Sequence, residues 1–134
     1  MLVFPNAEKT IRAYLLPDLR KRFGDQVKVS TEIPSGTDWL SGKPWLVVLT
    51  ITGTGARRSQ VFEEILIGYH GYAPTRDEAH DLIACTRALL EDWPNRSNMV
   101  AGCRPNSRPS DATDSTRYPA YYGSSSLLLK ATEA

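Results

Sequence analysis

One amphipathic helix constrains the fold of this chain more than any other segment. Across residues 75–93, core-facing positions recur every three or four residues and fall in an arc of roughly 120°. Thr75 and Glu78 form a capping box at its start, and Pro94 with Asn95 is predicted to end it. Such a helix must cover an apolar surface, which the neighbouring strands should supply. The positions of the stripe are Ala79, Leu82, Ile83, Thr86, Leu89, Leu90 and Trp93.

The first helix of the chain is predicted to break at a proline. Asn6 can cap a helix over residues 6–16, and Pro17 then removes a backbone donor. The apolar side chains after Pro17 also point about 130° away from the stripe that precedes it. A separate turn or two is therefore expected over residues 17–23, and Gly24 should end it.

Three strands are expected before the amphipathic helix, joined by short connections into a meander. Residues 27–33 alternate apolar and polar side chains, as a half-buried strand does. Residues 45–52 form a continuous β-branched and aliphatic run, which indicates a central strand covered on both faces. After a hairpin connection at residues 53–58, a return strand over residues 59–72 is apolar on both sides in its middle. Residues 34–43, between the first two strands, are a loop by composition.

The chain after the helix is predicted to add two strands. A short strand can begin near Val100, and residues 104–115 are predicted to be a turn-rich loop. A loop of that length in a compact domain tends to be functional or mobile. The last strand, over residues 116–130, contains Pro119 and Gly123, which indicates an edge strand or a bulged one.

The order α-β-β-β-α-β-β predicts a single α+β domain over residues 1–134. We expect a mostly antiparallel sheet of about five strands with two helices packed on it. The net charge of +1 argues against a dedicated binder of nucleic acid or of a membrane surface. No apolar segment is long enough to span a bilayer, and two cysteines without a framework favour a reducing, intracellular origin.

The sequence contains no recognisable catalytic or metal-binding constellation. His70 and His80 occur without H-x-x-x-H or C-x-x-C spacing, so a solvated helix face is the simpler interpretation of His80. Cys85 and Cys103 lack the sequence context of a catalytic nucleophile. We therefore predict no enzyme activity, no metal and no cofactor.

Candidate interface residues follow from loop position and residue type. Exposed Trp and Arg are enriched in interface hot spots. Trp39 either contacts a partner or folds back into its own domain, and the sequence leaves both alternatives open. The basic loop residues have acids nearby, which favours protein contacts or weak phosphate screening over DNA readout. The predicted contact residues are Asp38, Trp39, Arg57, Arg58, Arg104 and Arg108.

Four segments resemble those of a known family. L-V-F-P-N-A-E-K leads into the first helix, and P-W-L-V-V-L-T-I-T-G is a proline-led strand that ends in glycine. I-L-I-G-Y-H-G-Y-A-P-T-R-D-E-A-H-D-L runs from a strand into the amphipathic helix, and T-R-Y-P-A-Y-Y-G-S-S-S-L-L-L-K forms the closing strand. In this order and spacing, the chain resembles the tail terminator (tail completion) proteins of long-tailed bacteriophages over nearly its whole length. The loop G-T-D-W-L-S-G-K and the serine-rich last strand depart from the family pattern.

The resemblance implies a structural protein without catalytic residues. Such a protein forms a homohexameric ring that caps the tail tube, stops its polymerisation and provides a docking surface for the head-tail connector, or stopper. The implied partners are other copies of the chain, the major tail tube protein and the connector. DNA passes through the lumen without specific binding, and no membrane is involved. The implied location is the head-proximal end of the virion tail, and the host cytoplasm during assembly.

Three alternatives to a tail terminator remain at this point. They are a head-closure (neck) protein of the same virion, a small ligand-binding domain and a non-specific DNA-binding module. For a ring, the expected edge strand at residues 116–130 could pair across subunits.

Overall fold

Two helices packed on a five-stranded sheet make up the fold in the computed structural model, which describes residues 1–4, 6–32, 45–57, 61–113 and 119–133. The main elements follow the order α-β-β-β-α-β-β, and the sheet is mixed but mostly antiparallel, so the predicted fold class is confirmed. Two short strands that were not predicted, β1 (Leu2–Val3) and β7 (Thr132–Glu133), form a separate antiparallel pair.

The main sheet has the strand order β2-β3-β4-β6-β5. Among the strand pairs of the described residues, only β2–β3 is parallel. The predicted meander is therefore wrong at its first step, since the connection over residues 31–44 is far longer than a tight hairpin and the chain enters β3 in the same direction as β2. The elements are α1 (Ala7–Phe23), β2 (Val27–Ser30), β3 (Trp45–Arg57), β4 (Phe62–Tyr72), α2 (Arg76–Arg96), β5 (Val100–Asp111) and β6 (Ala120–Lys130).

Helix α1 is continuous, so the predicted break at Pro17 is wrong. Ile11, Leu15 and Leu19 follow one another at intervals of four residues, and all three are fully buried. The apolar face therefore continues past the proline, and burying this stripe outweighs the one backbone hydrogen bond that Pro17 cannot donate. Gly24 ends the helix as predicted, with a positive φ of 109° and its N–H donated to the Arg20 carbonyl at 2.8 Å.

Both predicted helix starts are confirmed. The Asn6 side-chain oxygen accepts the backbone N–H of Lys9 at 3.2 Å. At the start of α2, the Thr75 hydroxyl oxygen accepts the backbone N–H of Glu78 at 3.2 Å and donates its proton to the Glu78 carboxylate at 2.8 Å. Each side chain satisfies a backbone donor that has no partner within the helix.

Helix α2 runs past Pro94, so the predicted end there is also wrong. The N–H of Ser97 closes the last turn by donating to the Trp93 carbonyl at 3.1 Å. Trp93 itself stacks on Tyr14 of α1, with ring centroids 4.1 Å apart and the two planes 2° from parallel. This packing holds the last turn of α2 against α1, which compensates for the missing donor of Pro94.

Both helices cover the same face of the sheet. The predicted stripe of α2 is confirmed, since every member except the half-buried Leu89 is buried. The sheet side chains of the core alternate along each strand, because every second residue faces the helices. The core contains Ile11, Leu15, Leu19, Leu82, Ile83, Leu90 and Trp93 from the helices, and Val27, Val29, Val47, Leu49, Ile65, Ile67, Tyr69, Val100, Leu127 and Leu129 from the strands.

The β3–β4 hairpin is present, but β3 is longer and β4 is shorter than predicted. Strand β3 continues to Arg57 with an irregular register after Gly53, and β4 begins only at Phe62. The predicted cover on both faces holds for β3, where Leu46 and Val48 are buried opposite the core side. It fails in the middle of β4, because Leu66 is 36% exposed.

Strands β5 and β6 differ most from the prediction. The segment predicted as a loop over residues 104–115 is mainly part of β5, an edge strand that contains Pro105 and Pro109. An edge strand tolerates proline because half of its backbone donors have no ladder partner. Strand β6, for which the sequence predicted an edge position or a bulge, is an inner strand. It pairs with β4 on one side and with β5 on the other. Pairing of β6 across subunits is therefore excluded.

Candidate assembly interface

Two of the predicted contact residues lie on the exposed edge strand β5. Arg104 and Arg108 are both exposed. The register with β6 shifts at three places along the strand, so its edge is irregular rather than a straight ladder. Side chains bridge the two strands between the shifts: Asn106 donates to Ser126 at 2.9 Å, and the hydroxyls of Ser107 and Ser124 lie 3.1 Å apart.

The remaining predicted contact residues are not brought to this edge. Arg57 ends β3, which is separated from β5 by β4 and β6, and it pairs in register with Glu63. Asp38, Trp39 and Arg58 lie outside the described residues. The described residues therefore support one cluster, the pair on β5, and leave the other predicted contacts as predictions.

The sheet face opposite the helices is the larger surface that the sequence interpretation missed. In the middle of this face, β3, β4 and β6 contribute the small or hydroxylated residues Thr50, Gly68, Ser124 and Ser126, and larger side chains such as Glu64, His70, Tyr122 and Leu128 lie around them. Leu66 lies among them and is exposed. The signal was present in the run S-S-S-L-L-L, where alternate residues 125, 127 and 129 are buried while residues 124, 126 and 128 face the other way.

A shallow pocket of about 350 Å³ lies on this open face between β4, β5 and β6. His70 and Tyr122 line it, with ring centroids 4.5 Å apart. Burial lowers the pKa of His70, so its imidazole is neutral at physiological pH. The two rings are tilted by 46° to each other and form an uncharged wall of the pocket beside Thr50 and Ser110.

An ion pair fixes the end of β5 to the start of helix α2. Arg76 lies 2.6 Å from the Asp111 carboxylate. Hydrogen bonds from the hydroxyl and the backbone N–H of Thr113, at 2.7 and 2.9 Å, lower the pKa of Asp111, and Arg76 lowers it further. Tyr121 is the second partner of Arg76 and also packs edge-on against His80, at 5.2 Å between ring centroids. His80 therefore belongs to this anchor of the edge strand.

The two cysteines are half-buried free thiols. Burial raises the pKa of the Cys85 thiol, and it raises the pKa of Cys103 to about 11 with a further contribution from the nearby Glu91. Cys103 is therefore protonated at neutral pH, whereas a reactive thiol needs a lowered pKa. In the described part of the chain, no three side chains of His, Cys, Asp or Glu are grouped so that they could hold a metal ion.

Neither helix of the described residues is long and apolar enough to cross a membrane. Comparisons with protein-family models and with curated proteins found no match for this chain.

Proposed function

We propose that the protein is a tail terminator of a long-tailed bacteriophage, a structural protein whose hexameric ring caps the tail tube. In this role it stops polymerisation of the major tail tube protein and provides the docking surface for the head-tail connector. The proposal begins from the four sequence segments that resemble the family. These segments correspond to the start of α1, to β3, to the β4–α2 corner and to β6 with the residues before it.

The observation that carries the proposal is the placement of both helices on one face of the sheet. The other face remains open over the middle of β4 and β6, where Leu66 is exposed among small and hydroxylated residues. A sheet face of this kind supports an interface because flat, small side chains allow close approach of a second surface. A catalytic site would instead need convergent polar groups with perturbed pKa values in a pocket.

A ring requires two different surfaces on each copy, since its contacts are head-to-tail. The open sheet face and the arginine-bearing edge of β5 are two such surfaces, and they adjoin along β5. Arg104 lies opposite Ser126, so its side chain belongs to the rim of the open face. Arg108 lies four residues further along the same edge strand. A net charge of +1 is compatible with a lumen through which DNA slides without strong binding.

The decisive experiment is electron microscopy of phage particles assembled without this protein. Tails of uncontrolled length would support the terminator. Tails of normal length that are detached from heads would contradict it and favour a head-closure (neck) protein.

A second experiment tests the proposed ring contacts directly. The double substitution Arg104→Glu with Arg108→Glu should prevent ring formation or tail capping in a complementation assay, while circular dichroism shows an unchanged fold. The matched control is Lys21→Glu with Arg22→Glu, which makes the same charge change on an exposed part of α1. Equal loss of assembly in both double variants would show that net charge, and not the β5 edge, is responsible.

A further inference from the structure

A basic groove of about 550 Å³ lies between helix α1 and the edge strand β2. Four cationic side chains line it, Lys9, Arg12 and Arg20 from the helix and Lys28 from the strand, whereas the described lining contains one carboxylate, Glu8. The groove thus carries an excess of three positive charges in a chain whose net charge is +1. Such a local excess favours a negatively charged occupant.

The cations of the groove have few partners among the described residues. Among the described residues, no carboxylate forms an ion pair with Lys9, Arg12 or Lys28. The fourth cation, Arg20, donates through its Nε to the backbone carbonyl of Val27 at 3.1 Å. This hydrogen bond fixes the guanidinium at one end of the groove and leaves its terminal nitrogens free to bind a carboxylate.

Strand β2 presents a free backbone edge to the same groove. It is at the end of the strand order, and among the described residues it pairs only with β3. The N–H of Val27 bonds to Gly24 and its carbonyl accepts from Arg20, so both groups of Val27 point away from β3. Because backbone direction alternates along a strand, the N–H and C=O of Val29 point the same way, into the groove that Val29 lines. The Val29 side chain is buried in the core, which fixes this orientation.

We propose that this groove binds an extended acidic segment of a partner protein, which adds to β2 as a further strand. The bound segment would exchange hydrogen bonds with Val29, while acidic side chains at alternate positions reach the cations of α1 and β2. The four residues of β2 limit the ladder to about 13 Å. The proposal rests on the groove alone and does not depend on the tail-terminator assignment.

Nucleic acid fits the groove less well than a peptide does. A phosphodiester backbone accepts hydrogen bonds but offers no N–H donor, so the carbonyl of Val29 would lose its solvent partners without a replacement. A peptide strand supplies both a donor and an acceptor. The cations also lie inside a groove between two elements, and not across a broad face such as a duplex requires.

The test uses the full chain and three blocked synthetic peptides. The probe is Ac-ETEVETE-NH2, the charge control is Ac-KTKVKTK-NH2, and the backbone control is Ac-ETEPETE-NH2, whose central proline cannot pair as a strand. Binding is measured by isothermal titration calorimetry at low salt, because the blocked peptides carry no fluorophore. We expect the acidic probe to bind with a dissociation constant below about 1 mM and both controls to bind at least about tenfold more weakly. No saturable binding of the probe up to about 1 mM would overturn the proposal.

Two protein variants locate the site. Lys9→Glu with Arg12→Glu should weaken probe binding about tenfold or more, whereas Lys21→Glu with Arg22→Glu, the same change outside the groove, should leave it within about twofold. Hydrogen exchange then reads out the strand itself, since the Val29 amide should exchange more slowly when the probe is bound. Equal binding of the proline peptide, unchanged exchange at Val29, or tighter binding of a DNA duplex of about 12 base pairs would each overturn strand addition.

Discussion

Gly71 lies on β4 and faces helix α2. A Cβ atom at this position would lie 2.5 Å from both Cγ1 and Cδ1 of Ile83 and 3.5 Å from Cδ2 of Leu82. Ile83 and Leu82 are fully buried in the core, so neither can swing into solvent to make room. The substitution Gly71→Ala must therefore push α2 away from the sheet or force Ile83 from its rotamer.

The expected cost follows from two opposing effects. Overpacking of a well-packed core costs about 1–3 kcal/mol. Alanine also lowers the conformational entropy of the unfolded chain relative to glycine, which stabilises the folded state by about 0.4–1 kcal/mol. We therefore expect Gly71→Ala to destabilise the protein by roughly 1–2 kcal/mol, a fall in Tm of roughly 4–8 °C for a domain of this size. Urea denaturation followed by circular dichroism measures it. Gly102→Ala is the control, because nothing lies within 4 Å of the added methyl group.

A double-mutant cycle identifies the contact responsible. Ile83→Ala alone should cost about 2–5 kcal/mol through the cavity that it leaves. In the double variant the methyl group of Gly71→Ala occupies part of that cavity, so the combined cost should fall short of the sum by about 1 kcal/mol or more. The reasoning would be refuted if Gly71→Ala behaved like Gly102→Ala, or if the two costs were additive.

Three further substitutions test the described contacts. Pro17→Ala should stabilise the protein by about 1–3 kcal/mol in urea denaturation, because α1 is continuous and regains a backbone donor; destabilisation would indicate a break there. Asp111→Asn should lower Tm at neutral pH, because the pKa of Asp111 is depressed in the folded protein and the carboxylate therefore stabilises the fold above about pH 4. This stabilisation is lost as the pH falls through the folded-state pKa, so below that pH the substitution should leave Tm unchanged. The buried hydroxyls of Tyr69 and Ser125 lie 3.0 Å apart, so Tyr69→Phe should cost about 1–3 kcal/mol, and adding Ser125→Ala should cost less than the sum of the single variants; additive costs would exclude a shared hydrogen bond.

The elements that the sequence predicted well are those whose pattern depends on a single buried face. The stripe of α2 could be assigned residue by residue because that helix packs on one surface, which makes burial follow the helical period. The run from Leu46 to Leu49 is buried on both sides of β3, as its unbroken apolar character indicates. In both cases the local pattern and the tertiary packing require the same structure.

Most of the elements that were predicted wrongly from the sequence contain proline. Pro17 and Pro94 lie inside helices, and Pro105 and Pro109 lie inside β5. The local rule holds that proline removes one donor and disfavours regular structure. This rule takes no account of the burial of Leu15 and Leu19 on either side of Pro17, or of the edge position of β5. Both depend on contacts between residues that are distant in sequence.

The candidate interface was predictable only in part for the same reason. The sequence predicts Arg104 and Arg108 as loop residues, whereas they lie on a strand, where they are exposed. Strand order decides which edge is free, and it depends on long-range pairing that periodicity does not contain. To predict the open face, one would have to know on which side of the sheet the helices pack. To predict the basic groove, one would have to know that β2 pairs in parallel with β3.

The two edges of the sheet differ, and this difference constrains how copies could associate. On β5, Pro105 and Pro109 lack backbone donors and the register is broken, so a second chain cannot pair along it continuously. On β2, Val29 offers a donor and an acceptor, but the surrounding side chains are cationic. Joining β5 of one copy to β2 of the next would place arginines against Lys28 and Arg20, and like charges in contact oppose association. Contacts in a ring should therefore involve side-chain surfaces, which leaves the edge of β2 for an acidic partner.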